Sequence, residues 1–599
     1  VYSNYYSNPT QYQEMVALGL KDYYASLGIT EAWDPNSPLG QDLFNLGLIE
    51  LGLLEPALIN DANAVSAATQ EYQETLALDA FSTINAPAAA QNKKFANTWE
   101  IASRTAPINF SQSFGVGNQY NFGKSSALGY LFGLRYGMST SHDGDAELNR
   151  PRIDQDGIIA PNSFYSKQVL TRELNTWSAL AKLAYKLNGN NSIGFTFMPN
   201  FNGTNSLRTI NGVGIFEDQP DAVYFSQDQF YEERRQMVYQ MQSDHFIPKL
   251  KTRIHLDASY TDGYSNIPDF RTLGTFTFAN GSVLSGLGDL PNTRDFRYLN
   301  EDMLDSRISF EFPIGEKPGK VRKIKVGAAY SYLDRDFNQY QYILAGTDSS
   351  GNVLSGSYAI PDGDLTAFLN PSNFEITSYD FQGSPNKRAE LFYLQTDVPG
   401  NRTIGFSEVM ASYAMFDYSL NFKWRLAGGL RVEQADIFGD IFAYDSAGYA
   451  KDDIRRKATG DDFLANPGNI NTTKFLPSIS LIFKYRDDEK AAMNLRANYS
   501  RTTAYPSIRE ITENNVYDFE LRNLVFGNSN LKPVDIDNFD LRWEGYFKKG
   551  NSISVSAFYK YFKNHIELLN FENANTWTNV DKSFVAGVEL EGVKKLTKN

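Results

Sequence analysis

Residues 108–122 read INFSQSFGVGNQYNF, and apolar side chains occupy almost every second position of this stretch. The even positions hold Ile108, Phe110, Phe114, Val116, Tyr120 and Phe122, interrupted by Gln112 and Asn118, whereas Asn, Ser, Gly and Gln fill the odd positions. Strand side chains point to opposite faces with a period of two, so the stretch predicts a strand with one apolar and one polar face. It is longer than the roughly 5–6 residues of a globular strand and reaches the roughly 9–11 residues of a membrane-crossing one.

Similar stretches of alternation recur along the chain in pairs, and a short polar turn joins the two members of each pair. Clear examples of such turns are Gly123–Ser126, Asn188–Asn191, Arg486–Lys490 and Lys548–Asn551. Short turns between alternating stretches predict antiparallel hairpins. Together with residues 108–122 they make about fifteen predicted strands. The others are centred on residues 128–138, 177–187, 193–197, 237–241, 254–260, 308–312, 324–332, 409–415, 422–432, 479–485, 493–499, 539–547, 553–559 and 585–592.

The connections between successive hairpins are long and polar, running to roughly 20–70 residues, well above the usual loop of a compact domain. Residues 140–157 (TSHDGDAELNRPRIDQDG) and 440–462 (DIFAYDSAGYAKDDIRRKATGDD) are typical. Such loops count against a soluble β-sandwich, whereas outer-membrane barrels combine short periplasmic turns with long extracellular loops. The pattern therefore predicts an all-β fold, a transmembrane antiparallel β-barrel with long extracellular loops in the bacterial outer membrane.

The composition agrees with a barrel and excludes several other classes. Mean hydropathy is −0.41, and no stretch approaches the roughly 18 consecutive apolar residues of a membrane-spanning helix. The 36 Tyr and 42 Phe fit the aromatic girdles of barrels. Without cysteine, neither disulfides nor thiolate metal sites can form. The net charge of −14 argues against a nucleic-acid partner and suits either acidic loops facing lipopolysaccharide or a protein kept soluble by its charge.

Residues 1–105 differ from the rest of the chain because their apolar residues follow helical spacing in two places. Thr10 and Gln13 form a candidate capping box ahead of one predicted helix, and residues 65–81 predict another. We expect residues 1–105 to be a long, partly helical insertion or extracellular connection next to the barrel. Residues 106–599 are then expected to hold barrel strands and loops.

An outer-membrane barrel has to be exported, and residues 1–20 lack the basic and apolar regions of a signal peptide. We therefore expect the natural chain to begin before Val1. Bacterial barrels close with an even number of strands, and the widest class, with about 22 strands, carries a plug in its lumen. This chain is accordingly expected to be an internal segment of a larger protein, with the plug and the final strands outside it.

Three stretches resemble the C-terminal half of a TonB-dependent outer-membrane receptor, particularly the SusC-like relatives found in Bacteroidetes. They are Asn498–Thr512 (NYSRTTAYPSIREIT), Gly527–Phe547 (GNSNLKPVDIDNFDLRWEGYF) and Asn579–Gly592 (NVDKSFVAGVELEG), and they follow the order and spacing of the family. The chain departs from the family at Ser529 and Val534, where Pro and Glu are usual. Glycine and asparagine at strand ends, with Pro506 and Pro533 where pairing should stop, favour a structural role for these motifs.

The resemblance implies active import of a bulky nutrient, such as a ferric siderophore, an oligosaccharide or a peptide, across the outer membrane. It also implies TonB as a partner, through an N-terminal region outside this chain, and allows a surface lipoprotein lid or other outer-membrane subunits. The alternative is a non-transporting barrel subunit whose loops serve as docking surfaces for lipoproteins. A passive porin fits the size and the receptor-like motifs less well.

Two acidic clusters invite comparison with calcium sites, because carboxylate oxygens are the ligands that Ca²⁺ prefers. Neither cluster follows the spacing of an EF-hand loop, so solvated acidic loops are the simpler interpretation. The first consists of His142, Asp143, Asp145, Glu147, Asp154 and Asp156, and the second of Asp452, Asp453, Asp461 and Asp462.

No motif predicts catalysis or a resident cofactor. The four histidines, His142, His245, His255 and His565, lack the paired spacing of a metal site, and His255 is predicted on the polar face of its strand. Neither a nucleophile elbow nor a phosphate-binding loop is present, so we expect no enzyme activity. Several aromatic residues in the predicted loops could stack on sugars, cap an apolar ligand or belong to an interface girdle: Tyr224, Phe225, Phe230, Tyr231, Tyr340 and Tyr342.

Overall fold

The computed structural model describes most of the chain after residue 98 and several short stretches. The longer described ranges are 99–150, 164–213, 221–286, 292–315, 321–347, 401–441, 467–488, 490–521, 523–571 and 574–595. The shorter ones are 45, 48–49, 52–58, 60–71, 94–95, 353–355, 358–360, 363–370 and 391–396. The chain forms two compact units. The smaller unit comprises Val1–Glu100, Ala345–Leu354 and Asp364–Tyr393, and the sheet unit comprises Ile101–Leu344, Ser355–Gly363 and Leu394–Asn599.

Long antiparallel strands build the sheet unit, and fifteen of them are seen in the described residues. In chain order they are β1 (Phe110–Phe122), β2 (Ser126–Arg150), β3 (Phe164–Asn188), β4 (Asn191–Val213), β5 (Val223–Ile247), β6 (Thr252–Thr277), β7 (Thr293–Pro313), β8 (Arg322–Thr347), β9 (Arg402–Ser419), β10 (Trp424–Ile441), β11 (Gly468–Asp487), β12 (Ala491–Ala504), β13 (Val534–Phe547), β14 (Asn551–Phe571) and β15 (Ala574–Val593). Each pairs antiparallel with the next one along the chain. This uninterrupted meander confirms the all-β antiparallel prediction.

Many of the strands are much longer than a bilayer requires. β6 has 26 residues, whereas roughly 9–11 suffice to cross the hydrocarbon core. The prediction that a loop begins near residue 140 was wrong, because β2 continues to Arg150 and stays paired with β3. Both faces of this outer part carry polar side chains, so the alternation of apolar and polar residues that marks a strand in sequence is lost there.

The two faces of the sheet differ as the alternation predicted. Phe114, Trp177, Tyr239 and Leu541 lie on the apolar face and are about half exposed in the isolated chain. Aromatic rings stack across neighbouring strands of this face, as in the pair Tyr239 and Tyr260 with ring centroids 6.2 Å apart. Rings of this kind fit the interface belts of an outer-membrane barrel.

The predicted tight turns join strands at one end of the sheet. Gly123, between β1 and β2, has a φ of 65°, which glycine adopts without strain. Between β3 and β4, the side chain of Asn188 accepts a hydrogen bond from the backbone N–H of Asn190 at 2.8 Å. The described parts of the connections at the other end are longer, so the sheet has a turn end and a loop end.

The smaller unit is described in fragments. Residues 62–71 are helical, and Asp61 caps this helix by accepting hydrogen bonds from the backbone N–H groups of Asn63 and Ala64. Leu48, Leu54 and Ala68 form its small buried cluster. Of the two predicted helices, the one following Thr10 lies outside the described residues, and the domain boundary at residue 105 stays a prediction. No helix in the described part of the chain is long and apolar enough to cross a membrane.

Candidate functional site: an arginine-lined cavity on the polar face

The connection between β12 and β13, residues 505–533, folds against the polar face of the sheet at the loop end. It contains a single-turn helix, Ile508–Ile511, followed by the short antiparallel strands Asn515–Asp518 and Asn523–Phe526. Ser507 and Glu510 form a reciprocal capping box around the helix start, the arrangement in which two otherwise unpaired N–H groups are satisfied. We call this connection the 505–533 segment.

A row of glycines lets the helix of this segment approach the sheet. Gly405 in β9, Gly439 in β10 and Gly468 in β11 are direct register partners across three neighbouring strands. A Cβ atom at Gly405 would lie 2.5 Å from a side-chain carbon of Ile508, and Cβ atoms at the other two would meet Thr512 and Ile511. Only bare backbone leaves room for the helix at this place.

The three family-like stretches of the sequence come together where the short helix packs against the sheet. Ile508, Ile511 and Leu531 are buried in one apolar cluster with residues of β10 and β11. The side chain of Asn579 accepts from the backbone N–H of Lys532 at 2.8 Å and donates to its carbonyl at 3.0 Å. All three family-like stretches therefore fold into one structural unit. This agrees with the structural role predicted for them.

The tip of the 505–533 segment, Tyr517–Glu520, reaches three arginines on the facing strands. Arg172 of β3 and Arg208 of β4 both form ion pairs with the Glu520 carboxylate, and Arg208 also donates to the Phe519 carbonyl. Arg297 of β7 donates to the Tyr517 carbonyl at 2.9 Å. We call Arg172, Arg208 and Arg297 the arginine cluster.

Aromatic rings fix the tip beside these charges. The Phe519 ring stacks on Phe230 of β5 with centroids 4.7 Å apart, and Phe270 of β6 packs edge-on against it. The Arg208 guanidinium lies 4.1 Å from the centroid of the Phe519 ring, within the range of a cation–π interaction. The tip is therefore held by charge, by backbone hydrogen bonds and by ring packing at once.

A buried ion pair at the start of β7 supports the arginine cluster. Asp295 and Arg297 are almost inaccessible, and their side chains lie 3.2 Å apart. Burial raises the pKa of the Asp295 carboxyl and lowers the pKa of the Arg297 guanidinium, while each charge partly offsets the shift of the other. The pair holds the Arg297 guanidinium in position, because moving either group away would leave the other charge buried alone.

Between the tip and the strands lies a cavity of about 480 Å³. This volume falls within the range of small-molecule sites. The cationic side chains that the structure shows lining the cavity are all arginines: Arg172, Arg234, Arg297, Arg335 and Arg509. Its described carboxylates are Glu232, Asp518 and Glu520, and Phe230, Tyr298, Phe337, Tyr517 and Phe519 supply aromatic surface. Such a lining is suited to planar anionic groups, which arginine binds with two parallel hydrogen bonds.

The predicted acidic cluster around His142 lies apart from this cavity, on β2. His142 is hydrogen-bonded to Thr171 at 2.9 Å, and Asp145 faces Lys167 at 3.7 Å. Asp154 and Asp156, like the second cluster at Asp452, Asp453, Asp461 and Asp462, fall outside the described residues. Within the described ranges, no group of three or more metal-ligating side chains comes together.

The remaining histidines are also separate from one another. His255 lies between Asp244 and Asp257, with nitrogen–oxygen distances of 2.9 and 2.8 Å, near the turn that joins β5 and β6. His245 contacts Ser243 and Asn191. His565 on β14 contacts Ser583 of β15.

The six aromatic residues assigned to loops prove to lie in strands. Tyr224, Phe225, Phe230 and Tyr231 belong to β5, and Tyr340 and Tyr342 belong to β8. The loop assignment was wrong because aromatic and polar residues are mixed along the outer parts of these strands, so the alternation that marks a strand in sequence is lost there. Of the six, Phe230 lines the cavity, whereas Tyr224 is buried against Phe276. The arginine cluster was missed because its members are far apart in sequence.

Comparison with known proteins gives one family match. The family model described as TonB dependent receptor-like, beta-barrel, matches residues 248–596, more than half of the chain. No curated protein matches the chain.

Several solved structures are similar at low identity. The Serratia marcescens hemophore receptor HasR, in complex with its hemophore HasA and heme, is 13% identical, with a TM-score of 0.37 over 81% of this chain and 61% of that one. The alcaligin outer-membrane receptor FauA from Bordetella pertussis is 12% identical, with a TM-score of 0.39 over 82% and 60%. The ferripyoverdine receptor of Pseudomonas aeruginosa is 12% identical, with a TM-score of 0.41 over 83% and 55%. The chain thus spans less than two thirds of the length of each of these three receptors.

Proposed function

We propose that this chain, which belongs to the TonB-dependent receptor β-barrel family, is the barrel part of a receptor that imports a scarce nutrient across the bacterial outer membrane. As a member of that family it is an outer-membrane β-barrel protein. Energy for import would come from TonB through a region outside this chain. A surface lipoprotein or another outer-membrane subunit would be an additional partner at the loop end.

The observation that carries the proposal is the cavity on the polar face at the loop end of the sheet. In a barrel the polar face lines the lumen, and long loops mark the extracellular end. A ligand entering from outside would therefore meet the arginine cluster and the aromatic walls before it reached the turn end. This is where a receptor has to capture its ligand.

The arrangement can bind, orient and release a ligand, and none of these steps makes or breaks a covalent bond. Arg172, Arg234 and Arg335 would hold polar groups of the ligand, while Phe230 and Tyr298 would cover its apolar surface. The 505–533 segment forms one wall of this cavity. The candidate ligand classes for uptake are siderophores, oligosaccharides and peptides.

Uptake measured in cells tests the proposal. The natural full-length protein is produced in a strain deleted for its own copy, and accumulation of labelled iron chelates, oligosaccharides and peptides is followed with and without TonB. We expect one ligand class to accumulate, and its accumulation to stop when TonB is removed. Stable lipoprotein complexes without any TonB-dependent uptake would contradict import and establish the non-transporting subunit instead.

A matched pair of variants tests whether uptake depends on the cavity. Arg172→Ala removes a cavity arginine, whereas Arg104→Ala removes an arginine that pairs with Glu173 and does not line the cavity. We expect the first variant to lose at least about tenfold in apparent affinity, which corresponds to one charge-assisted contact. The second should transport like the unmodified protein. Equal uptake by both variants would show that the ligand binds elsewhere.

A further inference from the structure

We propose that the arginine cluster recognises a carboxylate group of the ligand, and that Glu520 occupies the place of that carboxylate in the ligand-free protein. The inference rests on the proposed function, since it names the ligand class for the same cavity. It makes Glu520 an internal competitor that the ligand has to displace.

The first argument is the unequal burial of the two sides of this contact. The Arg208 side chain is 4% exposed, while the Glu520 carboxylate with which it pairs at 3.5 Å is 61% exposed. The arginine is therefore fixed among the strands, and the carboxylate approaches it from the solvent side. A carboxylate on a ligand can reach the guanidinium groups by the same route.

The second argument is that the contact can open without moving the rest of the tip. Phe519 remains stacked on Phe230, and the carbonyl of Tyr517 remains bonded to Arg297. Rotation of the Glu520 side chain alone would remove the carboxylate from the Arg172 and Arg208 guanidinium groups. Exposed side chains change rotamer rapidly, so displacement requires no unfolding of the segment.

The third argument is that the Arg172 guanidinium needs a new hydrogen-bond acceptor once Glu520 has turned away. Among the described residues, Glu520 is the carboxylate partner that the structure shows for Arg172, whose Nε also donates to Ser206 at 3.3 Å. After Glu520 turns away, the part of the chain that the structure describes offers Arg172 no second carboxylate, and its terminal N–H groups face water. Guanidinium forks bind planar carboxylates with two parallel hydrogen bonds, so a ligand carboxylate satisfies the geometry that Glu520 satisfies now.

The charges lining the cavity point the same way. Five arginines and three carboxylates line it, whereas the whole chain has 56 basic and 70 acidic residues. The lining therefore holds more arginines than carboxylates, and Asp295 and Glu301, which pair with Arg297 and Arg335, balance that difference while Glu520 is in place. Displacing Glu520 would leave one positive charge unbalanced and would favour an anion in its place.

The test is a binding titration of the purified full-length protein with three probes. Tricarballylate carries carboxylates, pyrophosphate carries phosphates, and maltotriose is neutral. Each is titrated by calorimetry at constant ionic strength, because added salt by itself weakens exposed ion pairs. We expect tricarballylate to bind more tightly than pyrophosphate, and maltotriose not to compete with it.

Two matched variants separate the competitor from a general charge effect. Glu520→Gln removes the internal carboxylate, and Glu513→Gln makes the same change at an exposed residue of the same segment, bonded to Ser529. If Glu520 fills the site about 90% of the time, Glu520→Gln should tighten tricarballylate binding about tenfold. Glu513→Gln should bind like the unmodified protein, and Arg172→Ala should abolish the gain.

Each possible outcome either supports or overturns the inference that Glu520 occupies the place of a ligand carboxylate. Tighter binding in Glu520→Gln alone supports the inference, while equal affinities in both glutamine variants, or no tricarballylate binding at all, overturn it. Stronger binding of pyrophosphate with the same variant pattern also overturns it, because the ligand class would then be a phosphate. TonB-dependent uptake of a ligand that lacks carboxylates would leave the proposed function intact and refute only this inference.

Discussion

Single glycines decide where the 505–533 segment can lie against the sheet. Gly439 and Gly468 face the same short helix as Gly405, and any side chain at the three positions would occupy the space of Ile508, Ile511 or Thr512. Packing against bare backbone is hard to recognise in a sequence, because the three glycines are far apart along the chain. Their common purpose appears only when the register of β9, β10 and β11 is known.

A pair of alanine substitutions tests whether the short helix packs against the row of glycines. Gly468→Ala would place a Cβ atom against the backbone of Ile511, whereas Gly592→Ala meets no atom within 4 Å. We expect the first to destabilise the protein by roughly 1–3 kcal/mol through overpacking and the second to have little effect. The measurement is the midpoint of urea unfolding in lipid vesicles. Equal midpoints for both variants would contradict the proposed packing.

A second residue-scale prediction concerns pH at the turn between β11 and β12. A hydrogen bond from Arg486 holds the pKa of Asp488 at about 2, with help from the backbone N–H groups of Ala491 and Lys490. Because this value lies below the ordinary 3.8, ionised Asp488 stabilises the turn above about pH 4, and the contribution disappears as the pH falls toward 2.

Amide hydrogen exchange of Lys490 and Ala491 measures this effect. Asp488→Asn should exchange faster than the unmodified protein at neutral pH, because the asparagine lacks the negative charge that Arg486 and the two amides favour. The difference should shrink as the pH approaches 2. A difference that stays constant over the whole range would show that the charge of Asp488 does not hold the turn.

At the scale of elements, the sequence predicted the strands better than their ends. About fifteen strands and the short turns were recovered because alternation is strong where one face meets lipid and the other meets polar surroundings. In β9 the predicted apolar set was wrong, because the register pairs Ala414 and Phe416 with the apolar face of β8, which leaves Val409, Ala411, Tyr413 and Met415 on the opposite face. The outer part of β2 was missed because neither of its faces is apolar. The inward position of the 505–533 segment was missed because it depends on contacts with strands some 200 to 350 residues away in the chain.

The tip of that segment provides the element-scale prediction. Phe519→Ala removes the stack on Phe230 and the contact with Arg208, a change that costs roughly 3–5 kcal/mol for a phenylalanine in a packed core. We expect the tip to detach while the strands stay paired. Limited trypsin digestion followed by mass spectrometry should then show faster cleavage between residues 505 and 533.

The matched control is Leu521→Ala, which changes an exposed residue of the same segment. It should leave the cleavage pattern unchanged. If Phe519→Ala were as resistant to trypsin as the control, the aromatic contacts would not hold the tip, and the cavity would lack a fixed wall.

At the scale of the whole molecule, the family match and the two-faced meander lead to the same architecture. One face of the sheet carries exposed aromatic and aliphatic side chains, and the other carries the arginine-lined cavity. The proposed import depends on this division, since the ligand site has to open to the lumen while the opposite face contacts lipid. The central claim is therefore that alternate residues of one strand experience two different environments.

Spin-label accessibility along β14 tests this claim most directly. This chain has no cysteine, so once any cysteine elsewhere in the full-length protein is replaced by serine, single nitroxide labels can be placed in turn at positions 553 to 557 in lipid vesicles. We predict that Ile553, Val555 and Ala557 positions collide mainly with oxygen dissolved in the bilayer, and that Ser554 and Ser556 positions collide mainly with a water-soluble nickel chelate. Uniform accessibility to the nickel chelate, or alternation of the opposite sense, would contradict the account.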